Sequence, residues 1–167
     1  MNVFGIAGWS GSGKTTLLVS LLPELARRGI TVSTVKHAHH DFDIDKPGKD
    51  SFVHRMSGAS EVIIGSATRW ALMHELRGTP EPALSELMSH MAPVDLYLIE
   101  GFKWEAHAKL EIHRPSVGKP LLQPDDPTIL GIASDAKIEG VSVPVLDVND
   151  ISGIADFILE RCRLKAA

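Results

Sequence analysis

The chain has 167 residues, 44% of them hydrophobic and 23% charged, with a formal net charge of −4. That length fits a single domain, residues 1–167, with a substantial buried core; the acidic balance argues against a general nucleic-acid binder, and no apolar run is long enough to cross a bilayer. The single cysteine, Cys162, excludes an internal disulfide and fits a reducing cytoplasm, and the strand pattern at the very start leaves no room for a signal peptide.

Residues 2–7 read as a short buried strand. They lead into Gly8-Trp9-Ser10-Gly11-Ser12-Gly13-Lys14-Thr15, which matches the phosphate-loop pattern G-x-x-x-x-G-K-[ST] at every fixed position. Its glycines let the backbone curl until successive N–H groups share one concavity, which suits a polyphosphate. Lys14 supplies a mobile positive charge and the Thr15 hydroxyl a ligand for Mg²⁺. From Thr16 onward Leu18, Leu21, Leu22 and Leu25 recur at helical spacing, so the positive end of a helix faces the same anion. Gly29 stops that helix.

Residues 30–36 are β-branched and form a second strand. A polar stretch follows to Lys49, with Pro47-Gly48 as a turn, and then a short helix carrying Phe52, Val53 and Met56. Residues 61–65 and 70–73 read as two strands joined by a tight connection. Residues 82–91 read as a helix with Leu84, Leu87, Met88 and Met91 on one face. Residues 94–101 form a mostly apolar strand ending in an acid, as expected of a strand buried on both faces. Residues 110–113, 128–133 and 143–148 read as further strands, the first of them weak, and residues 151–164 as an amphipathic helix. Strands alternating with helices indicate an α/β fold, a mostly parallel sheet with helices on both faces. Ligands then sit at the carboxyl ends of the strands.

That rule sorts the candidate groups. Glu100 ends its strand on the phosphate side and suits the Walker B role, holding Mg²⁺ or its water shell opposite Thr15. Asp95, in the same strand, falls roughly 16 Å away at about 3.3 Å per residue, at the other edge. Lys36 and His37 also end a strand and face the nucleotide. His37, His39 and His40 with Asp41, Asp43 and Asp45 have the donors of a transition-metal site but poor spacing for one. They read better as a polar, switch-like loop. Lys103, Trp104, His107, Lys109, His113 and Arg114 form a basic stretch that suits an anionic ring compound or a mobile surface loop equally. The guanine-reading tetrapeptide Asn-Lys-x-Asp is absent. Asp135 is a substitute acid, with Asp147 and Asn149 as alternatives.

Three segments together resemble the MobB family of molybdopterin-guanine dinucleotide biosynthesis adapter proteins. They are residues 8–16, residues 34–51 with their Lys-His-x-His-His start and Pro-Gly-Lys-Asp-Ser tail, and Glu100-Gly101-Phe102-Lys103. Residues 109–114 and 143–147 fit as well. The resemblance implies a three-layer phosphate-loop NTPase fold of the signal-recognition/MinD/BioD (SIMIBI) class. It implies GTP binding with at most slow hydrolysis, homodimers, and partnership with the guanylyltransferase that attaches GMP to molybdopterin. It carries over Gly13, Lys14, Thr15 and Glu100 to nucleotide and Mg²⁺ binding.

Two other functions compete. A small-molecule kinase uses the same loop and needs a lid arginine, for which Arg55, Arg69 and Arg114 are available. A metal-delivery GTPase is suggested by the histidines and opposed by the lack of a cysteine-based metal motif. On the adapter reading, turnover is slow because no Gln or Arg is evident to orient water and neutralise the transition state.

Overall fold

A computed structural model describes residues 1–38, 42–103 and 105–165. The polypeptide divides into two compact units, one of Met1–His37 with Met88–Ala167, the other Ala38–Leu87.

The first unit is built on a six-stranded sheet. Its strands are β1 (Val3–Ala7), β2 (Val32–Lys36), β5 (Leu96–Glu100), β6 (Lys109–His113), β7 (Ile129–Ser134) and β8 (Val145–Asp147), in the order β2-β5-β1-β6-β7-β8. All five pairings are parallel, as the strand–helix alternation predicts. The innermost strands are buried on both faces, and β5 is accordingly a nearly unbroken apolar run. Helices α1 (Lys14–Arg27) and α4 (Ile151–Cys162) pack on one face. There Leu17, Leu18, Leu21 and Leu25 meet Phe4, Ile6, Leu98, Leu110, Ile112, Ile154 and Ile158 in one apolar core. On the other face Ala7, Ile129 and Leu122 make a smaller cluster, closed by a 3₁₀ turn at Gln123–Asp125.

Local chemistry sets the element ends. Helix α1 closes with Gly29 N–H on Ala26 O (3.0 Å) and Ile30 N–H on Leu25 O (3.1 Å), the paired bonds of a Schellman motif. That motif uses Ile30 as the residue leaving the helix, so β2 begins at Val32 rather than Ile30. Arg28 then reaches Glu24 (2.7 Å) and, on α4, Asp156 and Ser152. Helix α4 starts at Asp150, whose carboxylate accepts the Gly153 N–H at 2.9 Å.

The strand whose sequence reads as weak, β6, runs between β1 and β7 in the middle of the sheet. Two charged residues on its second face disguise it, and both are fully buried. Lys109 Nζ donates to Glu105 O (2.6 Å), Asp126 Oδ2 (3.0 Å) and Thr128 Oγ1. Glu111 accepts the backbone N–H groups of Leu122 (2.8 Å) and Gln123 (2.9 Å). Internal partners make such burial tolerable.

The second unit holds α2 (Asp50–Met56) and an antiparallel hairpin of β3 (Glu61–Gly65) and β4 (Trp70–His74). Val62 and Met73 pair in register and are buried. Arg55 gathers Asp43 (2.9 Å), Asp45 (2.8 Å) and Glu75 (3.3 Å). The remaining helix, α3, spans Leu84–Ser89. Among the described residues no helix is long and apolar enough to cross a membrane.

Candidate functional site

The turn from β1 into α1 carries the phosphate-loop sequence. Gly8 has φ 140, and a Cβ on it would stand 2.5 Å from Ile112 O and 2.7 Å from Ser12 Oγ. Only glycine fits there. Gly11 and Gly13 also have positive φ, 82 and 96, so the loop curls tightly before Gly13 O accepts the Leu17 N–H of α1 at 2.9 Å. Lys14 folds back over the turn, its Nζ donating to Gly8 O and Trp9 O at 3.0 Å each. Trp9, half-buried against Ala7, Leu122 and Ile129, pins the turn sideways by donating its indole N–H to Pro120 O at 2.8 Å.

Strand register brings the acid to this turn. Glu100 is level with Ile6 on one side and Lys36 on the other. Its Oε1 accepts the Thr15 hydroxyl at 3.0 Å and lies 3.8 Å from Lys36 Nζ. Burial draws the Lys14 ammonium below the ordinary lysine range; Glu100 opposes the shift, and the charges of Lys103 and Lys36 add to it. The Lys103 ammonium also stands over the Trp9 ring, 4.5 Å from its centroid. Three lysines and one carboxylate thus surround a backbone turn rich in N–H groups. These groups have the chemistry to hold a polyphosphate, with hard oxygen donors at one end that suit a small divalent cation.

A family profile described as "MobB: Molybdopterin guanine dinucleotide synthesis protein B" matches residues 3–135. A curated relative from Escherichia coli (strain K12), a molybdopterin-guanine dinucleotide biosynthesis adapter protein, is 45% identical over 95% of this chain and 91% of its own. The chain belongs to the MobB family. A relative of the same name from Haemophilus influenzae is 43% identical over 93% of this chain and 86% of its own. The crystal structure of a molybdopterin-guanine biosynthesis protein B aligns with TM-score 0.76 at 27% identity, covering 96% of this chain and 99% of that one. The mostly parallel α/β fold expected from the sequence is the MobB fold.

Of the site residues read from the sequence, Gly8, Ser10, Gly11, Ser12 and Gly13 lie on the turn, Lys14, Thr15 and Thr16 open α1 directly after it, and Glu100 and Lys36 come alongside through the sheet. Asp95 is elsewhere. It accepts the Thr31 N–H (2.8 Å) and hydroxyl (2.6 Å) at the opposite end of β5. Asp135 reaches the turn indirectly, through Arg114, whose Nε donates to Ser12 O at 3.1 Å and whose Nη1 donates to Asp135. The sequence by itself places Arg114 only in a basic stretch and among candidate lid arginines. The usable signal is its position one residue past the end of β6, beside the loop strand.

The basic stretch breaks apart in the fold. Lys109 is a buried structural cation, and His107 packs on Gly5, where a Cβ would stand 2.6 Å from its Nε2. Of the histidine–aspartate loop, His39, His40 and Asp41 lie outside the described residues, as does Trp104. Asp43 and Asp45 are taken by Arg55. Among the described residues no three His, Cys, Asp or Glu side chains come together as metal ligands.

Proposed function

We propose that this protein binds GTP with Mg²⁺ on its N-terminal loop and acts as an adapter in the assembly of molybdopterin guanine dinucleotide. The observation that carries the reading is the 3.0 Å contact of Thr15 Oγ1 with Glu100 Oε1 at the mouth of the phosphate loop. Membership of a family whose curated relatives are named as adapters for that cofactor supplies the pathway. In this reading the N–H groups from Gly8 to Thr15 and the Lys14 ammonium grip the phosphates. Thr15 and Glu100 hold Mg²⁺, which shields phosphate charge; the hydroxyl–carboxylate pair suits a cation that keeps its waters and takes one or two protein oxygens. Lys36 adds charge at the terminal phosphate, and Asp135 serves the site through Arg114.

Hydrolysis is slow at most. Arg114 of the first unit stands beside the loop, and Ser12 and Asp135 hold its guanidinium. So engaged, Arg114 is not free to swing over the phosphates as the lid arginine that a kinase needs. The partner is the guanylyltransferase that joins GMP to molybdopterin, with molybdopterin itself a second candidate ligand. The working form is a cytoplasmic homodimer without nucleic-acid or membrane ligands, its nucleotide site built within the first unit.

Calorimetric titration with GTP and ATP, each with Mg²⁺, tests this. GTP binds more tightly than ATP, and Lys14→Ala loses on the order of 100-fold in GTP affinity, the worth of a charge-assisted contact, while its melting temperature holds. Equal or tighter ATP binding removes the guanine claim. A pull-down of the guanylyltransferase that is the same with and without GTP removes the adapter claim.

A further inference from the structure

The Ser12–Gly13 peptide lies in a stretch of the loop with much backbone freedom of its own. Glycines precede and follow Ser12, and Gly13 stands at φ 96, where rotation meets no Cβ. The Ser12 hydroxyl is buried with no hydrogen-bond partner among the described atoms, so the side chain does not fix the peptide. Yet its orientation decides what the loop can bind. A turn holds an anion only while its N–H groups point inward, and an inward carbonyl repels phosphate. The carbonyl and N–H of one trans peptide point in opposite directions, and the described residues have no cis peptide bonds. Whatever holds the Ser12 carbonyl outward therefore holds Gly13 N–H inward.

Arg114 is placed to do this. Strands β6 and β7 pair His113 with Ser134. The next residue on each strand is Arg114 and Asp135, side by side past the sheet edge. Arg114 Nε donates to Ser12 O at 3.1 Å, Nη1 donates to Asp135 Oδ2, and a Cβ on Gly13 would stand 3.3 Å from Arg114 Nε. A guanidinium offers both bonds in one rigid plane; an ammonium does not have that fork.

We propose that Arg114 is a positioning residue for the phosphate loop: its bond to Ser12 O keeps the Gly13 N–H turned toward the bound phosphate, and Asp135 holds Arg114 in place. The inference rests on the reading of the loop as a nucleotide site, and the two can fail separately. The phosphate gains an N–H donor from the backbone, not a contact from the arginine.

The test uses the full-length protein, ¹⁵N-labelled, with GTP and Mg²⁺ in calorimetry and the Gly13 amide in two-dimensional NMR. Arg114→Met shifts the Gly13 resonance and speeds its exchange without ligand, and weakens GTP binding roughly 10- to 100-fold. Arg114→Lys recovers part of that loss. Asp135→Ala weakens GTP binding too. Tighter binding in Asp135→Ala means that the freed guanidinium grips phosphate itself, which overturns the proposal. So does an Arg114→Met protein with the wild-type Gly13 resonance and affinity. Should Arg114→Met not fold, Arg114→Lys and Asp135→Ala carry the same comparisons. A wild-type protein that binds no GTP overturns the nucleotide reading, and the Gly13 resonance in the variants still decides the role of Arg114.

Discussion

His107 is held neutral by the fold. Its Nε2 is buried with no hydrogen-bond partner among the described atoms, and burial pushes its pKa down to about 4, the Lys109 charge adding to the shift and Asp126 opposing it. In the unfolded state an imidazole titrates near ~6.5. Between those two values the unfolded protein takes up the proton and the folded one does not. Stability is therefore complete above ~6.5 and falls as the pH drops toward 4, by up to about 3 kcal/mol. Glu111, whose carboxyl burial pushes up, acts in the opposite sense, so the comparison is made against His107→Leu. Urea melts from pH 7 to 4.5 give a steeper loss for the native protein than for the variant. Equal slopes would show that His107 takes its proton inside the fold. Residue-scale features divide sharply in legibility. The loop and Glu100 are readable because a contiguous motif and a strand end carry them. Arg114 and Asp135 meet only through the register of β6 on β7, which a single sequence does not display. His107 and Lys109 read as surface base because nothing nearby in sequence names their partners.

At the scale of elements, β7 and α4 fit together through a missing side chain. Gly131 on β7 faces Phe157 on α4, and a Cβ there would stand 2.7 Å from the ring edge and 3.3 Å from a Leu110 methyl. The ring cannot easily retreat. It meets Phe4 edge-on at 6.3 Å between centroids, with the Arg161 guanidinium 5.0 Å from it on another side. Gly131→Ala therefore overpacks this contact and costs roughly 1–3 kcal/mol. Phe157→Leu in the same protein returns part of that loss, so the two changes are less than additive in urea melts. Full additivity would place the strain elsewhere. Helices α1 and α4 are legible from their leucine and isoleucine spacing, and β5 from its apolar run. Element ends are not, because caps set them: the Schellman closure of α1 moves the start of β2, and two buried charged side chains, Lys109 and Glu111, hide β6 behind charged letters.

At the scale of the molecule, the two units bury very different interiors. The six-stranded sheet has a continuous core on one face, whereas the hairpin of β3 and β4 leaves Ile63 and Trp70 68% exposed and buries Val62 and Met73. A two-stranded hairpin is marginal by itself. Amides of β3 and β4 therefore exchange through smaller openings than those of β1 and β5, by at least ~100-fold in protection. Native-state hydrogen exchange read residue by residue checks this; equal protection across both sheets would mean a single cooperative block. Fold class is legible at this scale because strand–helix alternation is periodic in the sequence, while the division into two units depends on long-range contacts that leave no local trace. The Trp9 indole, held at the side of the turn between Lys103 and the Pro120 carbonyl, gives the protein a built-in optical reporter. An anion that draws Lys103 off the ring alters the indole's surroundings, so in a protein carrying Trp70→Phe and Trp104→Phe its emission would follow occupancy without a dye.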